Sequence, residues 1–202
     1  MKKDSITTET EHLLSSPKNA KRLLQALENS HESEILRTQV EKHSLLSAYR
    51  EMLLEHLFAG EVMRHMWLSG YKRLEVLKPQ VDDGGYDLVL EAKSLVRHVQ
   101  LKATFRGSTV RKFNINMGLA NKPSGCVVVL IFDQESLHLG PFLWFGGTPG
   151  KPLPDLSVYP VAKHTKGNAQ GIKLGRPNIR VVPNTAFKQV SCIPELANML
   201  FG

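Results

Sequence analysis

The longest uninterrupted apolar stretch, Cys126-Val127-Val128-Val129-Leu130-Ile131-Phe132, sets the strictest condition on the fold. Its seven residues are rich in β-branched side chains, which favour a strand. Side chains of a strand alternate between two faces, so a run this apolar needs cover on both. It is far shorter than the ~20 apolar residues of a bilayer span. No membrane association is therefore expected. The chain of 202 residues, 42% of them apolar, is long enough to build a covered sheet without disulfide or metal staples. Its size fits one core domain, or one domain with an appendage.

The order of patterns fills in the layers. Ser16-Pro17 reads as an N-cap followed by proline in a first helical turn, with Leu23, Leu24 and Leu27 on one stripe to about Glu28. Asn29-Ser30-His31 is expected to break that helix. A longer helical region spans Glu32 to Ser69, with Ala59-Gly60 as a candidate kink or break between two helices and Gly70 as the stop. Strand patterns take over beyond Gly70: Arg73 to Leu77, Tyr86 to Glu91 and its hairpin partner Val96 to Ala103. One or two helical turns are expected over Asn114 to Asn121, and short strands at Leu137 to Leu139 and Pro141 to Phe145. Residues 146–177, rich in Gly, Pro and Lys, read as a long surface loop. A strand at Ile179 to Val182 and a helix from Pro194 to Phe201 close the chain. This predicts an α/β fold: a central mixed β-sheet flanked by helices, over 51–202, preceded by a helical N-terminal extension over 1–50.

Charge is distributed unevenly. Residues 1–50 hold 8 Lys/Arg against 7 Asp/Glu, residues 51–100 hold 6 against 8, and residues 101–202 hold 12 against 4. The net charge of +7 thus resides after position 100, beside an acidic segment. A phosphate-binding surface next to a metal site would have this asymmetry; so would a protein whose charge only keeps it dispersed. The two cysteines, Cys126 and Cys192, are far apart and form no zinc motif, and the polar start MKKDSITTETEH lacks the apolar stretch of a secretory signal. A reducing, cytoplasmic setting is the expectation.

Three features converge on one chemistry. Gly84-Gly85 lets the chain turn into a strand and sets Asp87 at its start. In Val99-Gln100-Leu101-Lys102-Ala103-Thr104, Gln100 and Lys102 share a face, with His98 and Thr104 along it. Glu61 sits on the helix that ends at Gly70, with Glu55 and Glu51 as rivals on the same stretch. Magnesium takes oxygen ligands, which Glu61, Asp87, the Gln100 amide and the Leu101 carbonyl can supply. Lys102 is then set to neutralise charge at a phosphoryl transition state. Each residue also has a plainer role: a solvated helix acid, a turn cap, or the wet face of an edge strand.

The order Glu61, Asp87, Gln100-x-Lys102 resembles the PD-(D/E)XK nuclease superfamily, which includes restriction endonucleases and Holliday-junction resolvases. The resemblance covers about residues 55–145, and DDGGYDLVL followed by VRHVQLKAT looks most like a bacterial branch with Gln in place of the motif Glu. It implies a restriction endonuclease-like core, a four-stranded mixed sheet with a helix on each side. It also implies a nuclease dependent on Mg2+ or Mn2+, with DNA favoured over RNA as substrate, and Glu61, Asp87, Gln100 and Lys102 as catalytic residues. Many such nucleases work as dimers, though the sequence carries no interface signature. Gln100 adds no charge to the site, so a second reading is a nucleic-acid-binding module that has lost cleavage.

Arg106, Arg111, Lys112, Lys166 and Lys173 are candidates for phosphate contacts, with Lys163 and Arg176 beside them. A second, shorter resemblance lies in Glu11 to Leu24, EHLLSSPKNAKRLL, which is similar to the C-terminal region of Phd/YefM-type antitoxins. It implies a protein partner at the N-terminal helix and, with it, a third reading as a partner-binding regulator.

Overall fold

The computed structural model describes residues 16–18, 20–22, 24–31, 46–81, 83–168 and 170–202. The chain divides into two units, Met1–Arg50 and Glu51–Gly202. In the first, residues 17–18, 20–22 and 24–31 are helical, so Asn29-Ser30-His31 continues the helix instead of breaking it. The expected helical residues 32–45 lie outside the described residues, and so does part of the antitoxin-like segment.

The second unit is an α/β assembly around a six-stranded mixed sheet. Helix α1 (Ser47–Leu68) leads into it from the end of the first unit, followed by β1 (Glu75–Leu77), β2 (Leu88–Ala92) and β3 (Leu95–Phe105). Next come β4 (Lys112–Asn116), β5 (Gly125–Phe132), β6 (Leu139–Gly146), β7 (Val161–Lys163) and β8 (Gly175–Pro183). β9 (Lys188–Val190) and helix α2 (Ile193–Phe201) complete the order. The large sheet runs β1-β2-β3-β5-β6-β9, with β3 and β5 parallel and the other pairs antiparallel. A smaller antiparallel sheet runs β4-β8-β7. Among the described residues, no helix is long and apolar enough to cross a membrane.

β5 is buried on both faces, and a different layer covers each. Cys126, Val128 and Leu130 join Leu88, Leu90 and Val99 in one core, under Leu54, Phe58, Val62 and Met66 of α1 and Leu196 and Leu200 of α2. The fourfold spacing of the α1 residues forms one stripe. Burying them outweighs the ~1 kcal/mol that a glycine costs in a helix, so α1 runs through Ala59-Gly60 as one helix, without a break there. Val127 and Val129 face the other way, into a second core with Phe113, Ile115, Phe145 and Val182.

This corrects the expectation of helices on both sides. Both helices contribute to the first core, whereas the second face is covered by the small sheet. The reason lies in Lys112-Phe113-Asn114-Ile115-Asn116, where exposed and buried residues alternate. That is a strand period, and only a single 3-10 turn over Met117–Asn121 remains of the expected helical turns. Residues 146–177, expected as a loop, include β7 and the beginning of β8, where Ala162 is the one buried residue of β7. β9 was equally unsignalled, with only Val190 buried.

Candidate active site

The site is built where β2 begins. Gly85 has a φ of +74°, and a Cβ there would lie 2.7 Å from Asn116 Cβ. The turn therefore needs glycine for both its backbone conformation and its close approach. Two residues on, the Asp87 N–H donates to the Val99 carbonyl at 2.9 Å. Asp87 Oδ2 accepts from the Leu101 N–H at 2.5 Å. The β2–β3 ladder itself starts one residue later, at Leu88↔Val99. The Asp87 carboxylate thus takes the place that a longer β2 would fill, satisfying the next N–H along β3. Asp87 is tied to β3 by these two hydrogen bonds, one from its backbone N–H to Val99 and one to its carboxylate from Leu101.

β3 sorts its side chains by parity. Val99 is in the first core and Leu101 packs against it. His98 faces the other way, its ring 4.9 Å from Tyr86 in an edge-on contact, and Tyr86 packs on the second core. Gln100 and Lys102 follow His98 on that face. Gln100 is 6% exposed, and its Oε1 has no hydrogen-bond partner. An amide oxygen buried in this state costs roughly 1–3 kcal/mol, which a cation or a hydrogen-bond donor beside it would offset. Lys102 is half-buried beside it. The N–H and C=O of a strand residue leave by the same edge. Since the Leu101 N–H points at Asp87, its carbonyl also projects from the edge that β2 has stopped covering.

The helix acids separate. Glu61 Oε2 pairs with Arg64 on its own helix at 2.6 Å, and the Glu61 side chain is 41% exposed. Glu55 is 15% exposed and pairs with Lys78 at 2.7 Å. Lys78 directly follows β1, whose last residue Leu77 is paired with Val89 near the start of β2. Glu55 is therefore tied to the end of the sheet at which Asp87 stands. The other end of α1 approaches the opposite end of the sheet: the Tyr71 N–H donates to Met66 O, and Lys93 of the β2–β3 turn lies 4.1 Å over the Tyr71 ring. Glu61 is six residues from Glu55 in that direction, ~9 Å along a helix. Of the acids named from the sequence, Glu55 and Asp87 are the two whose contacts lead to the same end of the sheet.

Among the described residues, no three His, Cys, Asp or Glu side chains gather into a group that could hold a metal. The Asp87 carboxylate and the Leu101 carbonyl are oxygen donors at the β2–β3 edge, and the Gln100 amide is on the adjoining face of β3; all are hard donors suited to Mg2+. Beside them, His98 is held below its ordinary pKa, first by burial and then by the Lys122 ammonium. Lys122 also lies 5.0 Å over the Tyr86 ring. Lys122 carried no signal in the sequence, because only the turn after β4 brings it to Tyr86.

The basic candidates divide between two places. Arg106 follows β3 and donates to Gly140 O at 3.1 Å; Arg111 and Lys112 lead into β4, and all three are exposed. Lys166 and Lys173 are exposed on the hairpin between β7 and β8. Arg97 has a structural role instead. It is fully buried and donates to Leu200 O at 2.8 Å, Met199 O at 2.9 Å and Gly147 O at 3.1 Å. A polar groove of about 310 Å³ lies at the hairpin end of the sheet, lined by Arg73, Glu75, Glu91 and Lys93. Its mixed charges are away from Asp87.

No protein-family model matches the chain, and no curated protein matches it either.

Proposed function

We propose that the chain is a metal-dependent nuclease of the PD-(D/E)XK type, with a restriction endonuclease-like core, hydrolysing phosphodiester bonds of DNA. One observation carries this reading: the Asp87 carboxylate is bonded to the Leu101 N–H, one residue along β3 from Gln100, whose amide oxygen is buried without a partner, with Lys102 next on the Gln100 face. The meander β1-β2-β3 with β5 parallel to β3 supports it as a scaffold that brings a strand start and the middle of its neighbour together.

Asp87, Gln100 Oε1 and the Leu101 carbonyl are the groups that would hold Mg2+ or Mn2+, with Glu55 or Glu61 as the helix acid. The ion, when bound, would polarise the phosphate and make a ligated water more acidic. Lys102 acts as a fixed cation where negative charge grows on the phosphate oxygens; losing such a group typically costs 10²–10³-fold in rate. Gln100 keeps the site one charge poorer than a Glu would. Arg106, Arg111 and Lys112 contribute phosphate contacts that position the strand without reading its sequence.

Nicking of supercoiled and branched DNA with Mg2+ or Mn2+ tests the proposal. Asp87→Asn keeps an oxygen for the Leu101 N–H, so it removes charge with little effect on the turn. It and Lys102→Ala are expected to lose at least about 10²-fold in rate while melting like the parent. Variants that cut as fast as the parent would overturn the assignment. The neutral Gln100 favours one alternative, a binding module without cleavage. That reading predicts a parent chain that binds DNA and cuts nothing with either ion.

A further inference from the structure

Between Leu156 and Pro194 the chain has no acidic residue and six Lys/Arg. Most of this charge is on one projecting element. β7 and the start of β8 pair as Ala162↔Arg176 and Lys163↔Gly175. The ribbon continues beyond them: the His164 N–H donates to Leu174 O, and the Asn168 N–H donates to Ile172 O. Its tip is shaped, since the Asn168 side chain accepts from the Gln170 and Ile172 N–H groups and Gly171 has a φ of +74°. Its root is anchored by buried Ala162 and by the pairing of Ile179 to Pro183 with β4. Every described residue from 163 to 178 is exposed.

We propose that this β7–β8 ribbon is a duplex-DNA arm that lies in the major groove, an inference that rests on the nucleic-acid part of the reading above. The argument is geometric and electrostatic. A two-stranded ribbon fits a groove ~12 Å wide and ~8.5 Å deep. Beyond Lys163 the two sides of the hairpin stay joined at His164–Leu174 and Asn168–Ile172, so it keeps the width of two chains. In the paired segment Arg176 is opposite Ala162 and Lys163 is opposite Gly175, so these two cations stand on opposite faces, with Lys166 and Lys173 beyond them toward the tip. Cations on both faces suit a groove, which has a phosphate backbone on each side; a flat anionic surface would meet only one face. Ile172 and Leu174 are 61% and 58% exposed near the tip, where apolar contact with thymine methyls is available.

The experiment compares the full chain with the triple variant Lys166→Gln, Lys173→Gln, Arg176→Gln. Binding to a labelled 25-base-pair DNA duplex is measured by anisotropy from 50 to 300 mM NaCl, in EDTA. Cleavage then plays no part, and a chain that proves unable to cut still tests the arm. Both proteins are first shown to melt alike. The variant is expected to bind about 10-fold or more weakly at 100 mM salt, and to lower the magnitude of the log–log salt slope by about 2–3. Duplex RNA, whose deep major groove is too narrow for a ribbon, should bind the parent less tightly and lose less on substitution. An unchanged slope would overturn the arm, as would equal losses on DNA, RNA and heparin. Binding to phosphatidylserine vesicles without binding to duplex would assign the charge to a membrane surface and overturn it too.

Discussion

Gln100 holds a polar side chain where the neighbouring strand offers Val127, and the cost of its partnerless oxygen is what makes it informative. Glu55 is informative for the opposite reason: it has a partner, Lys78 at the end of β1, while Glu61 turns to Arg64. Glu55→Gln is therefore expected to reduce DNA cleavage at least about 10-fold more than Glu61→Gln. Lys78→Gln serves as the control for loss of the ion pair alone, and the reverse order of effects would restore Glu61 as the helix acid. His98 gives a pH signature. Its pKa is lowered from an ordinary value of 6.5, so the folded chain prefers the neutral imidazole. This contribution to stability is intact above about 6.5 and lost as the pH falls below that value, because the unfolded chain binds the proton first. The melting temperature should drop between pH 7.5 and 5, and His98→Gln should flatten the drop; an equally steep variant would contradict this.

At the scale of elements, β3 organises the molecule. It is antiparallel to β2 and parallel to β5, and it sends Arg97 into one core while presenting Gln100 and Lys102 on the opposite face. Arg97 closes helix α2 from below by bonding the carbonyls of Met199 and Leu200, groups that a helix leaves unpaired at its C-terminus. Its guanidinium also lies 5.3 Å from the Trp144 ring. Arg97→Met fills the stem but leaves three carbonyls without a donor, a loss of about 2–3 kcal/mol in urea unfolding. A loss under about 1 kcal/mol would mean that α2 is held by Leu196 and Leu200 alone. Arg97 shares the parity of Val99, a residue of the first core. What it would find there was not legible, because its acceptors lie 50 to 103 residues away.

At the scale of the whole molecule, charge and chemistry are arranged on different parts of one scaffold. The acids that lead to the β2–β3 edge come from the segment before residue 100, and the cations of the β7–β8 ribbon come from the segment after it. Local patterns determined much of this by themselves. The Cys126–Phe132 run called for a strand covered on both faces, Gly84-Gly85 dictated a turn before Asp87, and period two put Gln100 and Lys102 on one face. These depend on neighbours within a few residues, which is the range over which backbone sterics and side-chain parity act. Tertiary structure decided the rest. It chose a small sheet rather than a helix to cover Val127 and Val129, and it drew Glu55 rather than Glu61 to Lys78. It also left a basic ribbon standing where composition alone read as loop. Each of these outcomes was set by packing between distant segments, because burial energy depends on what a residue meets and not on its own pattern.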